Sequence, residues 1–596
     1  MTRGLATQTL LFMRLKLAAA LAAIFCLSSS SGPFAQNVPH PPLTAANIDD
    51  IAKLLMLEDT RRLDDATLAT LLKSPNAEVR RRAVLAVGRI APKALPATPD
   101  SAERGRALLE PLHAEKDPDI LATVAFSTGQ LKLPASVPWL AELLLAPTTP
   151  ADIAKEAACA LGKIRGTEAR TVLAKYLTDA PVTAPSSVVG EALFSIGRWT
   201  TREDLAPILR WTTAKDDEVR WRAAWALFRL KDPAAVEALL KLSSDPSPDV
   251  RFWAVRGLAP AVVDEAKVDR AKTSAVLRAA LKDTDRRVRT EAIRALVNYD
   301  DDASFEAVMA SLDSPDTWIS VSAAENLARF KDRAAVVVAR LVAASAPSRP
   351  LALRLSSLTP LTTLGPEQAA DLAASLVKAD SANARTTAIS ALQRLGAAGK
   401  AKLDALAADP ATKDLIPAQP AGGRGMGGRG SGPGAQPRPT LTLDDYRAIV
   451  NRWIVPDYNG TPKPHAIWET PKGSIELELY PGDAPLGMEY FVKAIASGDI
   501  VNTAFTRVVP NFVAQQQTIP GAPVLRDEVN RRGLVRGNLA WASSGLDTGR
   551  PGYTLGSTPQ PHNEGDFTAL GHVVKGMDVV DQLELGDKIT AARMIK

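Results

Sequence analysis

A valine followed by an arginine, set just after an acidic or proline turn and leading into an amphipathic helix, recurs along the first two thirds of the chain. It stands as Asn76-Ala77-Glu78-Val79-Arg80, Asp217-Glu218-Val219-Arg220, Pro248-Asp249-Val250-Arg251 and Arg286-Arg287-Val288-Arg289, with a looser copy at Pro315-Asp316-Thr317-Trp318-Ile319. Val219 to Val250 is 31 residues, and Val288 to Ile319 is again 31. Val250 to Val288 is 38, where Pro260 to Lys272 lengthens the unit. Weaker copies sit near Ile120, Ala154, Val189, Ala352 and Ala384. A unit of this size cannot bury its own apolar face, so neighbours must stack. The aspartate caps the second helix of each pair, or a proline opens its first turn. The valine and a leucine some eight residues on share one face and pack inward.

These motifs resemble those of the HEAT-repeat family, over residues 45–410. The resemblance implies an all-α curved solenoid that binds other proteins, and it implies no reaction. Trp199, Trp211, Trp221, Trp225 and Trp253 cluster in the middle repeats. They are read as inter-repeat core, with a binding groove as the alternative. Arg220, Arg222, Arg251, Arg256, Arg286, Arg287 and Arg289 can line one surface, and such faces are ordinarily solvated. Ser375 and Lys378 match a Ser-x-x-Lys spacing, but they fall inside a repeat helix with no accompanying motif and are read as coincidence.

With 596 residues the chain has room for several domains. A formal charge of +5 is small for that length and is no nucleic-acid signature. Two cysteines make no disulfide framework, and Cys159 reads as a small buried hydrophobe. Arg14 and Lys16 followed by the apolar run Leu17 to Leu27 read as an export signal over residues 1–35, cut after Ala35. Lipidation at Cys26 is the alternative, although Phe25 is bulky for that motif. No later run is long enough to span a bilayer. The expectation is an exported protein without a membrane span, periplasmic if the cell has two membranes and otherwise extracellular or surface-associated.

Residues 411–440 hold glycine, proline and arginine with little that is apolar, which predicts a flexible linker rather than an RNA-binding tail. Residues 441–464 form a helix, with Thr442 as its cap, and a connector expected to dock on the domain after it. Past Pro464 the periodicity changes from helical to alternating. Ala466–Glu469 and Ile475–Tyr480 read as a hairpin, Pro485 opens a helix with Met488, Phe491, Val492 and Ile495 on one face, and strands follow at 538–542 and 570–574. A short helix at 578–583 precedes a last strand at 588–595. Many short strands with two helices predict a mainly-β closed barrel, with helices at its ends. In Phe505-Thr506-Arg507-Val508-Val509-Pro510-Asn511-Phe512-Val513-Ala514-Gln515, apolar residues alternate on both sides of a turn, and Arg507 interrupts them. An arginine keeps its charge, so in a sheltered place it must face a partner or a ligand.

The 465–596 region resembles the cyclophilin-type peptidyl-prolyl isomerases. The resemblance rests on residues 472–480, Ala484-Pro485, the Arg507 stretch, Asp527-Glu528, Arg536-Gly537-Asn538-Leu539-Ala540, Pro561-His562 and residues 571–580. It implies rotation about X-Pro bonds with no cofactor and no metal. Arg507 would be the donor to the proline amide, and Phe512 the floor of the proline pocket with Val513 beside it. Gln515 would bond the substrate or hold the arginine. Ala542 and Ser543 would offer backbone groups to the residue before proline, with Asn563 and Phe567 further along the pocket. Gln516 and Gln517 replace a usual pair of glycines, and Pro551-Gly552-Tyr553-Thr554 replaces a usual Ser-Gln-Phe-Phe. Ungapped counting puts Thr554 in the place of a pocket aromatic; a one-residue shift puts Tyr553 there. His562, Asn563 and Phe567 stand where many members have Trp or His, Leu, and His or Tyr, so the resemblance implies a wider and more polar pocket than usual. Leu546-Asp547-Thr548-Gly549 carries an aspartic-protease tripeptide in a single copy, where the chemistry needs two, and is read as coincidence.

The expectation is an exported peptidyl-prolyl cis-trans isomerase for proline-containing client proteins, with a protein client or partner on the solenoid. The alternative is a scaffold that binds proline segments without catalysis. A third reading makes the solenoid the main function and the isomerase accessory.

Overall fold

The computed structural model describes residues 41–199, 202, 204–379, 381–416 and 437–595. The expected leader and the Gly/Arg-rich middle of the linker lie outside them. The described helices form the predicted pairs. The second helices are α1 (Ala45–Thr60), α2 (Ala77–Ile90), α3 (Pro118–Leu131), α4 (Ala151–Ile164), α5 (Ser186–Gly197) and α6 (Asp217–Leu230). The row continues with α7 (Pro248–Gly257), α8 (Arg286–Leu296), α9 (Thr317–Asn326), α10 (Leu351–Leu364) and α11 (Ala382–Arg394). Every strong and weak copy of the motif therefore opens one member of a single row, in which successive helices touch. The longer unit holds an added helix at Pro260–Glu265.

The motif arginine has a structural task. Arg220 gives one guanidinium nitrogen to the carbonyls of Ala214 and Lys215 and the rest to Asp245 of the next repeat, at 2.8 and 3.0 Å. Arg251 repeats this with Asp245, Pro246 and Asp283, and Arg289 with Asp283, Thr284 and Asp316. The receiving aspartates also cap turns: Asp245 accepts from the Ser247 amide, and Asp283 from the Asp285 amide. These arginines staple repeat to repeat rather than form a solvated face. Trp211, Trp221, Trp225 and Trp253 are buried, with rings of Trp225 and Trp253 meeting edge to face at 6.5 Å. Cys159 is buried, which pushes its thiol up to about 12. Ser375 spends its hydroxyl on the carbonyl of Leu372 in its own helix.

Helix α12 (Leu443–Ile449) opens on a capping box formed by Thr442 and Asp445 and runs into a wider turn at Val450–Ile454. It bridges two bodies rather than docking on the later one alone. Tyr446 Oη donates to Asp59 at 2.8 Å on the repeat side, and Trp453 Nε1 donates to Glu489 at 2.7 Å on the barrel side.

The barrel strands are β1 (His465–Thr470), β2 (Gly473–Leu479), β3 (Phe505–Val509), β4 (Val513–Gln516), β5 (Asn538–Trp541), β6 (Tyr553–Gly556), β7 (Ala569–Lys575) and β8 (Ala591–Ile595). They pair antiparallel in the order β3-β4-β6-β5-β7-β2-β1-β8. The two edges meet where Ala504 bridges Lys588 and Phe505 N donates to Asp587 O at 2.7 Å, which closes the sheet on itself. Helix α13 (Pro485–Ala496) packs Met488, Phe491 and Ile495 onto Trp468 and Tyr553, with Val492 half-buried at the rim. Strand β6 lies between the strands predicted at 538–542 and 570–574, where the sequence predicts none. It is four residues long and flanked by breakers, so alternation has no room to show.

The barrel packs directly on the row of second helices. Arg61, 2% exposed at its side chain, makes a double ion pair with Asp547 at 2.5 and 2.8 Å and donates to Asp527 O. Arg89 joins Glu58 on its own side to the carbonyls of Val529 and Asp483 on the barrel. Arg531 reaches back to Asp119 and Glu156, and Trp318 Nε1 donates to Leu583 O. The Asp-Thr-Gly tripeptide thus supplies an anchor for Arg61.

Candidate functional site

Antiparallel strands place directly opposed residues on one face. Arg507 of β3 opposes Gln515 of β4, Gln515 opposes Thr554 of β6, and Thr554 opposes Ala540 of β5. These four make one cross-strand row on the outer face of the barrel. The neighbouring row, Val508, Ala514, Leu555 and Leu539, turns the other way, toward the barrel core. The register also decides between Tyr553 and Thr554. Side chains alternate along β6, so Thr554 joins the outer row and Tyr553 goes inward, 1% exposed, against Trp468 and Phe491. Tyr553 is therefore a core residue and no part of the pocket.

Over the outer row lies a cavity of about 540 Å³. Of the residues singled out from sequence, Arg507, Phe512, Val513, Gln515, Ala542, Ser543, Thr554, Asn563 and Phe567 line it. Leu534, Asn538, Ala540, Ser544, Thr548 and Gln560 line it as well and were not anticipated. Asn538 and Ala540 sit in a matched motif and only needed the register to place them; Gln560 carries no sequence signal. Its amide donates to Phe512 O at 3.0 Å and accepts from Asn563 at 2.9 Å, which fixes the backbone under the Phe512 ring.

Arg507 is exposed at the cavity mouth, its guanidinium carbon 5.2 Å from the centre of the Phe512 ring. No carboxylate and no hydrogen-bond acceptor holds it among the described residues, where its contact is the Phe512 ring. Cation–π contact orients the group while leaving its five donors free. The hydroxyls of Ser543, Thr548 and Thr554 are spent on the carbonyls of Gly545, Gly545 and Ala540. Gln516, in the place of one of the two missing glycines, is fully buried, and its side-chain Oε1 accepts from Tyr553 N at 3.0 Å. Gly552 sits where a Cβ would come within 2.8 Å of the Thr518 backbone, so no side chain fits there.

The turn that carries the site, Pro510-Asn511, is held by the repeats. Asn511 takes a left-handed backbone (φ 59°) and is 1% exposed. Its side-chain amide donates to Arg287 O at 2.9 Å and Glu291 Oε1 at 2.8 Å, both on α8. Arg294, paired with Glu291, donates to Pro510 O at 2.9 Å.

The antiparallel barrel thus presents, over an aromatic floor, an arginine without a partner among the described residues. A family model for "Cyclophilin type peptidyl-prolyl cis-trans isomerase/CLD" matches residues 466–596, and a HEAT-repeat model matches 183–259 and 237–328. A peptidyl-prolyl cis-trans isomerase of Synechococcus elongatus is 33% identical over 22% of this chain and 95% of its own length. One from Helicobacter pylori is 34% identical over 21% and 83%, and peptidyl-prolyl cis-trans isomerase B of Bacillus subtilis is 33% identical over 20% and 90%. The chain belongs to the cyclophilin-type peptidyl-prolyl cis-trans isomerases, with HEAT repeats before the isomerase domain.

Proposed function

We propose that the protein isomerises X-Pro bonds of exported client proteins, with Arg507 as the catalytic donor and the solenoid as a scaffold for the client or a protein partner. The observation that carries the catalytic part is Arg507, charged, unpaired and poised over Phe512 at the mouth of a cavity of chain-binding size. Rotation about a peptide bond has to cross about 18–20 kcal/mol because amide resonance holds the bond planar. In the twisted state the proline nitrogen becomes pyramidal and gains a lone pair. A guanidinium set near that nitrogen and the adjoining carbonyl bonds the twisted state better than the planar one, which lowers the barrier. Phe512 and Val513 hold the proline ring, Gln515 holds the arginine or the substrate carbonyl, and Ala542 and Ser543 take the residue before proline. Thr554, where relatives of this family usually carry an aromatic residue, makes the pocket wider and more polar. Export rests on the basic and apolar leader at residues 14–27. The scaffold role rests on the HEAT repeats, whose second-helix row already holds the isomerase domain.

The test uses the full chain and a short X-Pro peptide, with cis–trans exchange followed by NMR. Arg507→Ala should lower kcat/KM about 10²- to 10³-fold while peptide binding persists. A wild-type chain that binds the peptide without speeding exchange would instead make the protein a proline-segment binder.

A further inference from the structure

Beside the proline pocket, the junction of repeats and barrel encloses a second cavity of about 280 Å³. Its floor is built from the C-terminal ends of four successive helices of the second row: Lys132 after α3, Lys163 and Arg165 at the end of α4, Arg198 after α5, and Arg229 near the end of α6. Its wall is the barrel loop at 562–566. Five basic side chains face two carboxylates, Glu564 and Asp566. Each carboxylate is already taken: Asp566 lies 3.6 Å from Lys132, and Glu564 lies 3.4 Å from Arg198. Glu191, behind the floor, is 4.0 Å from Arg198. Helix C-termini favour one cation each, but only over the last turn and by a fraction of a charge. Lys163, Arg165 and Arg229 remain without a carboxylate partner among the described residues, Lys163 lying over Phe126 and Arg229 beside Trp225. The side chain of Arg198 is 7% exposed, and its Nε lacks any hydrogen-bond partner.

The two cavities share a wall. His562 lines the basic one, and its ring stacks on Phe512 of the proline pocket with centroids 6.2 Å apart. Gly565, at φ 89°, brings the loop so close to Lys163 that a Cβ would stand 2.8 Å from its side chain. Partial burial, and then Arg229, Arg256 and Arg198, hold the His562 imidazole below its usual pKa, as a surplus of positive charge requires.

We infer that this cleft is a specificity subsite that takes aspartate or glutamate side chains of the client, in the segment that flanks the isomerised proline on the His562 side. The inference rests on the isomerase reading above and narrows its substrate class to acidic flanks. His562 sets the cleft next to a chain seated on Phe512, which favours a peptide carboxylate over a free anion.

The test measures exchange by the full chain on three X-Pro peptides that differ only in flank: neutral, two glutamates before the X-Pro pair, and two glutamates after it. One acidic peptide should show a KM about three- to tenfold below the neutral one at low salt, and 0.5 M NaCl should erase the difference. The Arg165→Gln/Arg229→Gln double variant should lower kcat/KM on that peptide about fivefold more than on the neutral one. Equal KM values for all three peptides would overturn the subsite while leaving the isomerase intact. So would inhibition by millimolar inorganic phosphate with no preference among the peptides, which would make the cleft a free-anion site. No acceleration of any peptide would instead strike the isomerase reading itself.

Discussion

At the scale of single residues, the molecule separates charges that do work from charges that hold it together by what surrounds each one. Arg507 and Arg61 are both arginines, yet one is exposed and unpaired while the other is 2% exposed and fully bonded. Glu528 is a third case. Its carboxylate accepts from Leu486 N at 3.1 Å and Gly487 N at 2.7 Å, at the start of α13. Burial nonetheless outweighs these donors and Arg89, and pushes the group up to about 7. A carboxyl with a raised folded pKa contributes stability that is complete below its unfolded value and lost as pH rises through the folded value. Across pH 4.5 to 7 the loss is about 3 kcal/mol for this one group. Glu528→Gln should therefore show a smaller fall in Tm between pH 5 and pH 8 than the wild type, as thermal melts would show. Parallel curves would mean that Glu528 is ionised throughout. Of the pocket, Arg507, Phe512 and Gln515 were legible because they sit in one ordered motif. Tyr553 and Thr554 stand level in the sequence, because only the β6 register says which of two neighbours faces out.

At the scale of elements, the repeat motif explains itself once the helices are in place. The valine packs inward, and the arginine beside it collects the turn carbonyls and an acid from the next unit, so the pair records both the helix face and the stacking. The β3–β4 hairpin is held from outside in a comparable way. Its turn residue Asn511 has a left-handed backbone and bonds that all lead to α8 or to neighbouring barrel loops. Asn511→Ala would remove two buried hydrogen bonds and place alanine at a positive φ. It should cost about 2–4 kcal/mol in a urea titration and reduce kcat/KM about tenfold by loosening Phe512 against Arg507. Unchanged activity in a folded variant would show that the hairpin keeps its geometry without the two Asn511 side-chain bonds, Arg294 still holding Pro510 O. Helix α12, read from sequence as a cap on the barrel, turns out to bridge both bodies, because Tyr446 and Trp453 point to opposite sides.

At the scale of the whole molecule, the repeats and the barrel share an interface rich in buried charge. Arg61 and Asp547 lose most of their hydration there and regain it from each other, from Asp527 and Glu58, and, for Asp547, from Arg526. Arg61→Ala leaves Asp547 with Arg526, 3.4 Å away, as its remaining cation. The expected cost is about 3–5 kcal/mol. It should appear in a urea titration as a lower midpoint, with repeat and barrel signals still coincident in the wild type. Two separated transitions in the wild type would show that the bodies fold independently.

The order of residues alone determined the helix-pair array, the change to a barrel near residue 465 and the motif that carries Arg507. Each is a local pattern repeated often enough, or matched in enough places, to be legible in one dimension. Tertiary structure alone decided that the barrel rests on the second-helix row, that α8 holds the Arg507 hairpin, and that cations from four repeats gather beside the proline pocket. Those contacts join residues more than 200 positions apart, such as Glu291 and Asn511. Charge pairing across such a distance leaves no period and no spacing, because it depends on how far each stacked repeat rotates the next.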